Sequence, residues 1–202
     1  LSIDLVMGRE RSCREPLLVG EQLLWAEQRP DEGGRTTLML QQRPGEAPQD
    51  LTPGGWSLRT RVHEFGGGLF CADPTMAVFI DGRSGVPHSV RLQSPAAPQP
   101  LMAPVLDRQI RFADGLIDTQ RQRWIGVMES DEGDSLISLP LAGGTPQVLR
   151  SHLDFCGYAA LSPSGDQLAW LEWSLPWMPW ERTELWWSWL GEDGELLGPQ
   201  RM

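Results

Sequence analysis

Short apolar runs separated by turn-forming residues are the dominant pattern of the chain. Gln167–Trp173 and Glu184–Leu190 are apolar, aromatic-rich runs of strand length. Just before the first of them, residues 162–165 read Ser-Pro-Ser-Gly, which is the composition of a type I turn. Residues 168–171 form an almost unbroken apolar run, as expected for an interior strand that is covered on both faces. The pattern predicts β strands joined by tight turns.

The same unit of turn, apolar strand, loop and strand recurs four times. Aligning its central strands places Trp25, Val78, Ile125 and Ala169 in register, at intervals of 53, 47 and 44 residues. A repeat of about 40 to 50 residues with four strands is typical of a β-propeller blade, because a sheet with two apolar faces must stack against its neighbours.

We therefore predict an all-β chain, a partial β-propeller with about four blades of four-stranded antiparallel sheet. The predicted blades cover roughly residues 15–54, 55–104, 105–152 and 153–202, and residues 1–15 are interpreted as a leading segment or as a strand of another unit. The alternative that fits the same pattern is a β-sandwich with irregular strands.

Composition supports short strands and limits the partners. Hydrophobic residues make up 40% of the chain, and 22 Gly and 17 Pro provide many turn positions. A net charge of −10 argues against a nucleic-acid partner, which requires a basic surface. The chain has no apolar run of membrane-spanning length and no signal-peptide pattern at its start, so we expect no membrane partner.

The cysteines and histidines do not suggest a metal site. Cys13, Cys71 and Cys156 are single and far apart, which favours reduced thiols in a cytoplasmic protein over disulfides or zinc ligands. The three histidines, at positions 63, 88 and 152, fall in different units without the spacing of metal ligands. No Gly-rich loop opens a helix, so we expect neither a metal nor any other cofactor.

The polar cluster beside a glycine triplet is the best candidate for a substrate-contacting surface. Arg61, His63 and Glu64 precede Gly66-Gly67-Gly68, and in a propeller such residues can line the central channel. One interpretation is a channel wall that meets a peptide, with Glu64 pairing a substrate amine. The other is a structural ion pair between Arg61 and Glu64 or an acid of a neighbouring blade. The acidic residues 131–134 are interpreted as a solvated hairpin tip.

A dense tryptophan cluster lies near the end of the chain. Trp at strand spacing is expected to pack within blades, and this applies to positions 170, 173, 186 and 189. Trp177 and Trp180 lie among prolines in a connecting loop, so we expect these two to be exposed. They are candidates for an interdomain or subunit contact, and the alternative is simple packing within the loop.

Four stretches resemble the N-terminal propeller of prolyl-oligopeptidase-family serine peptidases, in particular the acylaminoacyl-peptidase and dipeptidyl-aminopeptidase type. They are RTRVHEFGGG (59–68), FADGLIDTQRQRWIGVMESD (112–131), LSPSGDQLAWLEW (161–173) and MPWERTELWW (178–187). The resemblance covers residues 15 to 190. It implies a propeller that precedes an α/β-hydrolase domain with a Ser-Asp-His triad and restricts access to that triad by size.

The hydrolase half of that pattern is missing from the sequence. No G-x-S-x-G nucleophile motif occurs in the 202 residues, so we assign no catalytic residue and expect the hydrolase domain to be absent. We interpret the chain as the non-catalytic part of a serine peptidase that gates peptide access. The alternative is a stand-alone TolB-like propeller that scaffolds a partner protein. Homo-oligomers are a further expectation, because an arc of blades leaves apolar faces uncovered.

Overall fold

The computed structural model describes residues 10–93, 96–104 and 110–202. Their strands form four four-stranded sheets, and within each sheet the strands follow chain order and pair antiparallel. Sheet 1 contains β1 (Ser12–Val19), β2 (Gln22–Arg29), β3 (Arg35–Gln41) and β4 (Gln49–Asp50), and sheet 2 contains β5 (Phe70–Ala72), β6 (Met76–Ile80), β7 (Pro87–Arg91) and β8 (Gln99–Pro100). Sheet 3 contains β9 (Arg111–Asp118), β10 (Arg123–Ser130), β11 (Gly133–Pro140) and β12 (Gln147–Leu153), and sheet 4 contains β13 (Phe155–Leu161), β14 (Gln167–Trp173), β15 (Glu184–Leu190) and β16 (Leu196–Arg201).

The four aligned residues Trp25, Val78, Ile125 and Ala169 all lie on the second strand of a sheet. The predicted turn at residues 162–165 is also present, since the Gly165 N–H donates to the Ser162 carbonyl at 2.9 Å. The predicted all-β class with four antiparallel sheets is confirmed. The predicted leading segment falls mostly on residues 1–9, outside the described residues, but β1 already begins at Ser12 and pairs with β2.

The hydrophobic core lies between neighbouring sheets as three separate clusters. Strand β6 shows the arrangement, because its successive side chains point to opposite faces of the sheet. Ala77 and Phe79 pack against sheet 1, while Val78 and Ile80 pack against sheet 3. A third cluster, around the fully buried Trp170, joins sheets 3 and 4. Sheets therefore stack face to face, and each inner sheet is covered on both sides.

The outer faces of sheets 1 and 4 differ from each other. On β14, Leu168 and Trp170 are fully buried but Leu171 is only half-buried. The strand was expected to be covered on both faces, but only its inner face is covered. The outer face of sheet 4 is apolar, and Trp189 there is 46% exposed. Sheet 1 instead carries ion pairs that join Arg29 to Glu27 and Asp50.

Helical structure among the described residues is limited to two single-turn 3-10 helices, Pro30–Glu32 and Val62–Glu64. In the part of the chain that the structure describes, no helix has the length and apolar character needed to cross a membrane.

Candidate functional site

Most candidate residues lie at one end of the sheets because of the antiparallel strand order. Connections from second to third strands and from one sheet to the next share one end, and the remaining connections share the other. We call the first of these the His63 end and the second the opposite end. The His63 end carries the long connection from β4 to β5, the turn between β10 and β11, and the loop between β14 and β15.

The first strands of the sheets form the inner wall, since β5 and β13 both lie against β9. Three first strands carry a bulge with a residue in the left-handed region, namely Glu15, Asp114 and Tyr158, with φ of 51°, 58° and 55°. Non-glycine residues are uncommon there.

Two of these bulges aim a carboxylate at the neighbouring sheets. Asp114 accepts the Gly68 N–H at 2.6 Å and the Tyr158 N–H at 3.3 Å, so it links sheet 3 to both neighbours. Glu15 accepts the Leu69 N–H at 2.8 Å. Burial raises the pKa of the Glu15 carboxyl, with a further contribution from the Asp114 charge, whereas the Leu69 N–H lowers it. The role of neither acid is apparent from the sequence, although Gly115 within a strand pattern is a bulge signal.

The candidate residues Arg61, His63 and Glu64 lie in a loop before β5, around the 3-10 helix Val62–Glu64. His63 and Glu64 have φ of 52° and 65°. The loop closes on itself, because the Gly66 N–H donates to the Val62 carbonyl at 2.9 Å. A Cβ on Gly66 would lie 2.8 Å from the Thr60 hydroxyl oxygen, and φ is +83° there, so this position requires glycine.

His63 lies between two carboxylates of sheet 3. Its Nε2 atom is 3.0 Å from Oδ1 and 3.1 Å from Oδ2 of Asp134, and its Nδ1 is 3.6 Å from Oε1 of Glu129. The His63 backbone N–H also donates to Glu129 Oε2 at 2.8 Å. The imidazole contacts the Phe155 ring of sheet 4 edge-on, at 4.7 Å between centroids. His63 therefore joins the loop to two further sheets.

Asp134 contradicts the prediction that residues 131–134 form a solvated tip. Its side chain is 1% exposed and accepts the Cys156 N–H at 3.1 Å. Burial raises the pKa of the Asp134 carboxyl, although the His63 contact and the Cys156 N–H act in the lowering direction. Asp131 and Glu132 are exposed as expected. Nothing in the sequence of this acidic turn indicates that its last residue, Asp134, is buried against another sheet.

Glu64 pairs with Arg111, which is not among the residues predicted for this site. Arg111 Nη2 lies 2.7 Å from Glu64 Oε1, and Arg111 Nη1 donates to the Arg61 carbonyl at 3.0 Å. The Glu64 side chain is 73% exposed. The predicted Arg61–Glu64 ion pair is absent, and the exposed Arg61 side chain makes no ion pair with any residue of the described ranges. Glu64 is thus held by sheet 3 while its carboxylate faces solvent.

Trp177 and Trp180 lie in the loop between β14 and β15, with 46% and 77% of their surface exposed. Leu175 and Met178 are exposed beside them, at 68% and 43%. The loop is ordered by its own hydrogen bonds, since the Met178 N–H donates to Glu181 Oε2 at 3.0 Å. Trp189, which we expected to pack within the blade, is instead exposed on the outer face of sheet 4.

The buried cysteines are not arranged as nucleophiles. Burial raises the pKa of the Cys71 thiol to about 12 and also raises that of Cys156, so both remain protonated at neutral pH. Among the residues that the structure describes, no group of three His, Cys, Asp or Glu side chains could hold a metal ion. The described geometry supports ion pairing and hydrogen bonding at the His63 end.

Comparison with known proteins gives matches among solved structures. No protein-family model matches the chain, and no curated protein matches it. A puromycin-hydrolyzing peptidase of Mycobacterium tuberculosis is 30% identical with a TM-score of 0.84, over 96% of this chain and 31% of that chain. A puromycin hydrolase is 28% identical with a TM-score of 0.86, over 98% of this chain and 33% of that chain. The chain thus spans about a third of the length of these peptidases.

A more distant likeness concerns the fold alone. TolB from Acinetobacter baumannii is 12% identical with a TM-score of 0.64, over 94% of this chain and 43% of that chain. Its similarity agrees with the stacked four-stranded sheets seen here. The two peptidases are similar in sequence as well as in fold. Together these findings confirm the predicted partial propeller and the predicted resemblance to the propeller of such peptidases. The chain is a partial β-propeller that is similar in fold and in sequence to these two peptidases.

Proposed function

We propose that the chain is the non-catalytic propeller part of a serine peptidase, where it controls which peptides reach a hydrolase domain outside these 202 residues. The observation that carries the proposal is 28% to 30% identity to two puromycin-hydrolysing enzymes over nearly the whole of this chain. Their names describe hydrolysis of puromycin, and one of them is called a peptidase. We infer the same reaction class, acyl transfer to water through a Ser nucleophile, for the protein that carries this propeller.

The His63 end supports this role. Arg61 and Glu64 are exposed there, and the Glu64 carboxylate is held in position by Arg111 without being buried. An ammonium group of a peptide can share that carboxylate, because an ionised carboxylate accepts several hydrogen bonds. His63 fixes the loop by its contacts to sheets 3 and 4. We infer that Arg61, His63 and Glu64 form part of the surface past which substrate moves.

The test compares matched variants of the peptidase that carries this chain. Glu64→Gln should raise KM for peptides with a free amino terminus several-fold and leave the thermal midpoint unchanged, since an exposed ion pair adds little stability. Glu192→Gln, an exposed position in the β15–β16 turn at the opposite end, is the control. A lowered midpoint with unchanged KM would show that the Glu64–Arg111 pair is only structural.

The loop with Trp177 and Trp180 is the proposed contact with the hydrolase domain. Exposed aromatic side chains are enriched at the centres of protein interfaces and carry much of the binding energy there. Trp180→Ser should weaken binding of the separately expressed hydrolase domain at least tenfold in calorimetry, while Trp189→Ser on the outer face of sheet 4 should not. Equal binding by Trp180→Ser and the unchanged chain would reject this contact.

A stand-alone propeller that scaffolds a partner protein is the second candidate, and only the TolB likeness of fold favours it. It predicts that neither Glu64→Gln nor Trp180→Ser affects any peptidase.

A cytoplasmic location fits both candidates, because the three cysteines are free thiols and two of them are buried.

A further inference from the structure

A cavity lies at the opposite end of the molecule, between sheets 3 and 4. Its volume is about 190 Å³. The polar residues that line it are Arg121, Arg123, Ser138, Thr145, Gln147 and Asp193. They come from the β9–β10 connection, from the first residue of β10, from both sides of the β11–β12 hairpin and from the β15–β16 turn, all away from the His63 end.

The side chain of Arg123 is buried with an unused donor. It is 6% exposed, its Nε donates to Asp118 Oδ2 at 3.0 Å, and its Nη1 donates to the Gly194 carbonyl at 2.9 Å. Its third nitrogen, Nη2, is buried and has no hydrogen-bond partner among the described residues. A buried charged donor without an acceptor is unfavourable and uncommon in folded proteins, so an acceptor that reaches Nη2 would be stabilised there.

Two arginines and two acids lie at the cavity, and the acids differ in burial. Arg121 and Arg123 both contact the same carboxylate, Asp118, which is fully buried, with Arg121 Nη1 3.2 Å from Oδ2. One carboxylate thus serves two guanidinium groups, and one positive charge remains without a buried counterion. Asp193 is the remaining acid of the lining and is exposed in the turn, where water screens it.

We propose that this cavity binds a small tetrahedral oxyanion, with inorganic phosphate as the representative chemistry. Arginine N–H groups are strong donors to phosphate oxygens, and the hydroxyls of Ser138 and Thr145 and the amide of Gln147 add further donors. At about 30 Å³ per water, the cavity holds about six waters, which leaves room for one phosphate with a few waters but not for a nucleotide.

The net charge of −10 does not exclude an anion here. At an ionic strength of 0.1 M the screening length is about 10 Å, so charges on distant sheets contribute little. At the cavity itself, the buried Asp118 pairs with both arginines, and the other acid of the lining, Asp193, is exposed to water. Because the cavity is at the opposite end, its occupation is independent of the role proposed for Arg61, His63 and Glu64.

The experiment is calorimetric titration of the 202-residue chain with inorganic phosphate, with matched variants. We expect saturable binding at millimolar concentrations. Gln147→Glu places a carboxylate in the cavity and should weaken binding at least tenfold, whereas Asp193→Asn should tighten it several-fold. Gln200→Glu, on the exposed β16, adds the same charge elsewhere and should bind like the unchanged chain. All three positions are exposed, so folding should be unaffected.

Three results would overturn the proposal. One is the absence of saturable phosphate binding by the unchanged chain. Another is equal binding by Gln147→Glu and Gln200→Glu, which would place the anion outside this cavity. The last is tighter binding of acetate than of phosphate or sulfate, which would indicate a carboxylate site instead of a tetrahedral one.

Discussion

His63 Nε2 lies 3.0 Å from a carboxylate oxygen of Asp134, and this contact ties the loop before sheet 2 to the first residues of β11 in sheet 3. The same carboxylate accepts the Cys156 N–H of sheet 4. One buried acid therefore connects the glycine-rich loop to both following sheets, and the position of the candidate residues depends on it.

Asp134 should give the chain a measurable dependence of stability on pH. Its folded pKa is raised by burial, so its contribution is fully present below the unfolded pKa of about 3.9 and is lost as the pH rises through the folded value. The difference in free energy of unfolding between the unchanged chain and Asp134→Asn should therefore fall with rising pH and then level off. Urea unfolding at several pH values measures it. Glu132→Gln, in the same turn, is the control, and a difference that rises with pH would contradict the assignment.

The contribution of Asp50 to stability should depend on pH with the opposite sign to that of Asp134. Burial acts to raise its pKa, but hydrogen bonds from Thr37 and Arg35 and the charge of Arg29 outweigh burial, and the pKa is lowered overall. Its stabilising contribution is present above the unfolded pKa and is lost as the pH falls through the folded value. Asp50→Asn should cost about 1 to 3 kcal/mol at neutral pH, because it leaves the largely buried Arg29 without one acceptor.

That cost should shrink as the pH of the urea titration is lowered below about 4. A variant penalty that stays constant from neutral to acidic pH would mean that the Asp50 carboxylate gains nothing from its arginine partners.

Arg150 joins sheets 3 and 4 by two kinds of contact. Its guanidinium lies 4.2 Å from the centroid of the Trp186 ring, and it donates to both carboxylate oxygens of Glu172. Arg150→Ala should destabilise the chain by about 1 to 3 kcal/mol, because the buried Glu172 loses its charged partner. Arg150→Lys keeps the positive charge but loses the planar guanidinium group. Its stability should lie between that of the unchanged chain and that of Arg150→Ala. Chemical unfolding followed by tryptophan fluorescence measures both, and equal stability of all three proteins would refute the role.

Features that depend on local interactions could be predicted from the sequence, whereas features that depend on contacts between sheets could not. Strands β14 and β15 begin and end where the apolar runs do, because strand length and turn chemistry are local properties. Asp134 and Asp114 could not be recognised in this way, since each acts on backbone N–H groups of another sheet. Arg111 was missed for the same reason, because its partner Glu64 lies 47 positions earlier and meets it only after the sheets stack.

Gly66 should be far less tolerant of substitution than a glycine with similar backbone geometry. Gly66 and Gly54 have φ of 83° and 76°, but only at Gly66 would a Cβ meet other atoms. Gly54→Ala should cost about 1 kcal/mol from backbone strain alone, and Gly66→Ala clearly more, because the Thr60 hydroxyl must also move. Thermal unfolding of the two variants compares them directly. A smaller loss for Gly66→Ala would show that the loop adjusts without cost.

The outer face of sheet 4 should cause the purified 202-residue chain to self-associate. Leu185 and Trp189 are 40% and 46% exposed there, on a sheet whose other face is fully packed. Contiguous apolar surface of this kind is typical of an interface, whereas the outer face of sheet 1 carries the Arg29 and Asp50 ion pairs and offers a poor complement. Association should therefore join two sheet 4 faces and stop at a dimer, as expected for an isologous contact.

Sedimentation velocity at increasing protein concentration measures this association. Leu185→Lys combined with Trp189→Glu should return the chain to a monomer, because the dimer would have to bury both charges. Leu18→Lys, at an exposed apolar position on β1, is the control and should leave the dimer intact. If the unchanged chain sediments as a monomer at all concentrations, or if Leu18→Lys disrupts the dimer equally, the apolar face of sheet 4 is not the contact.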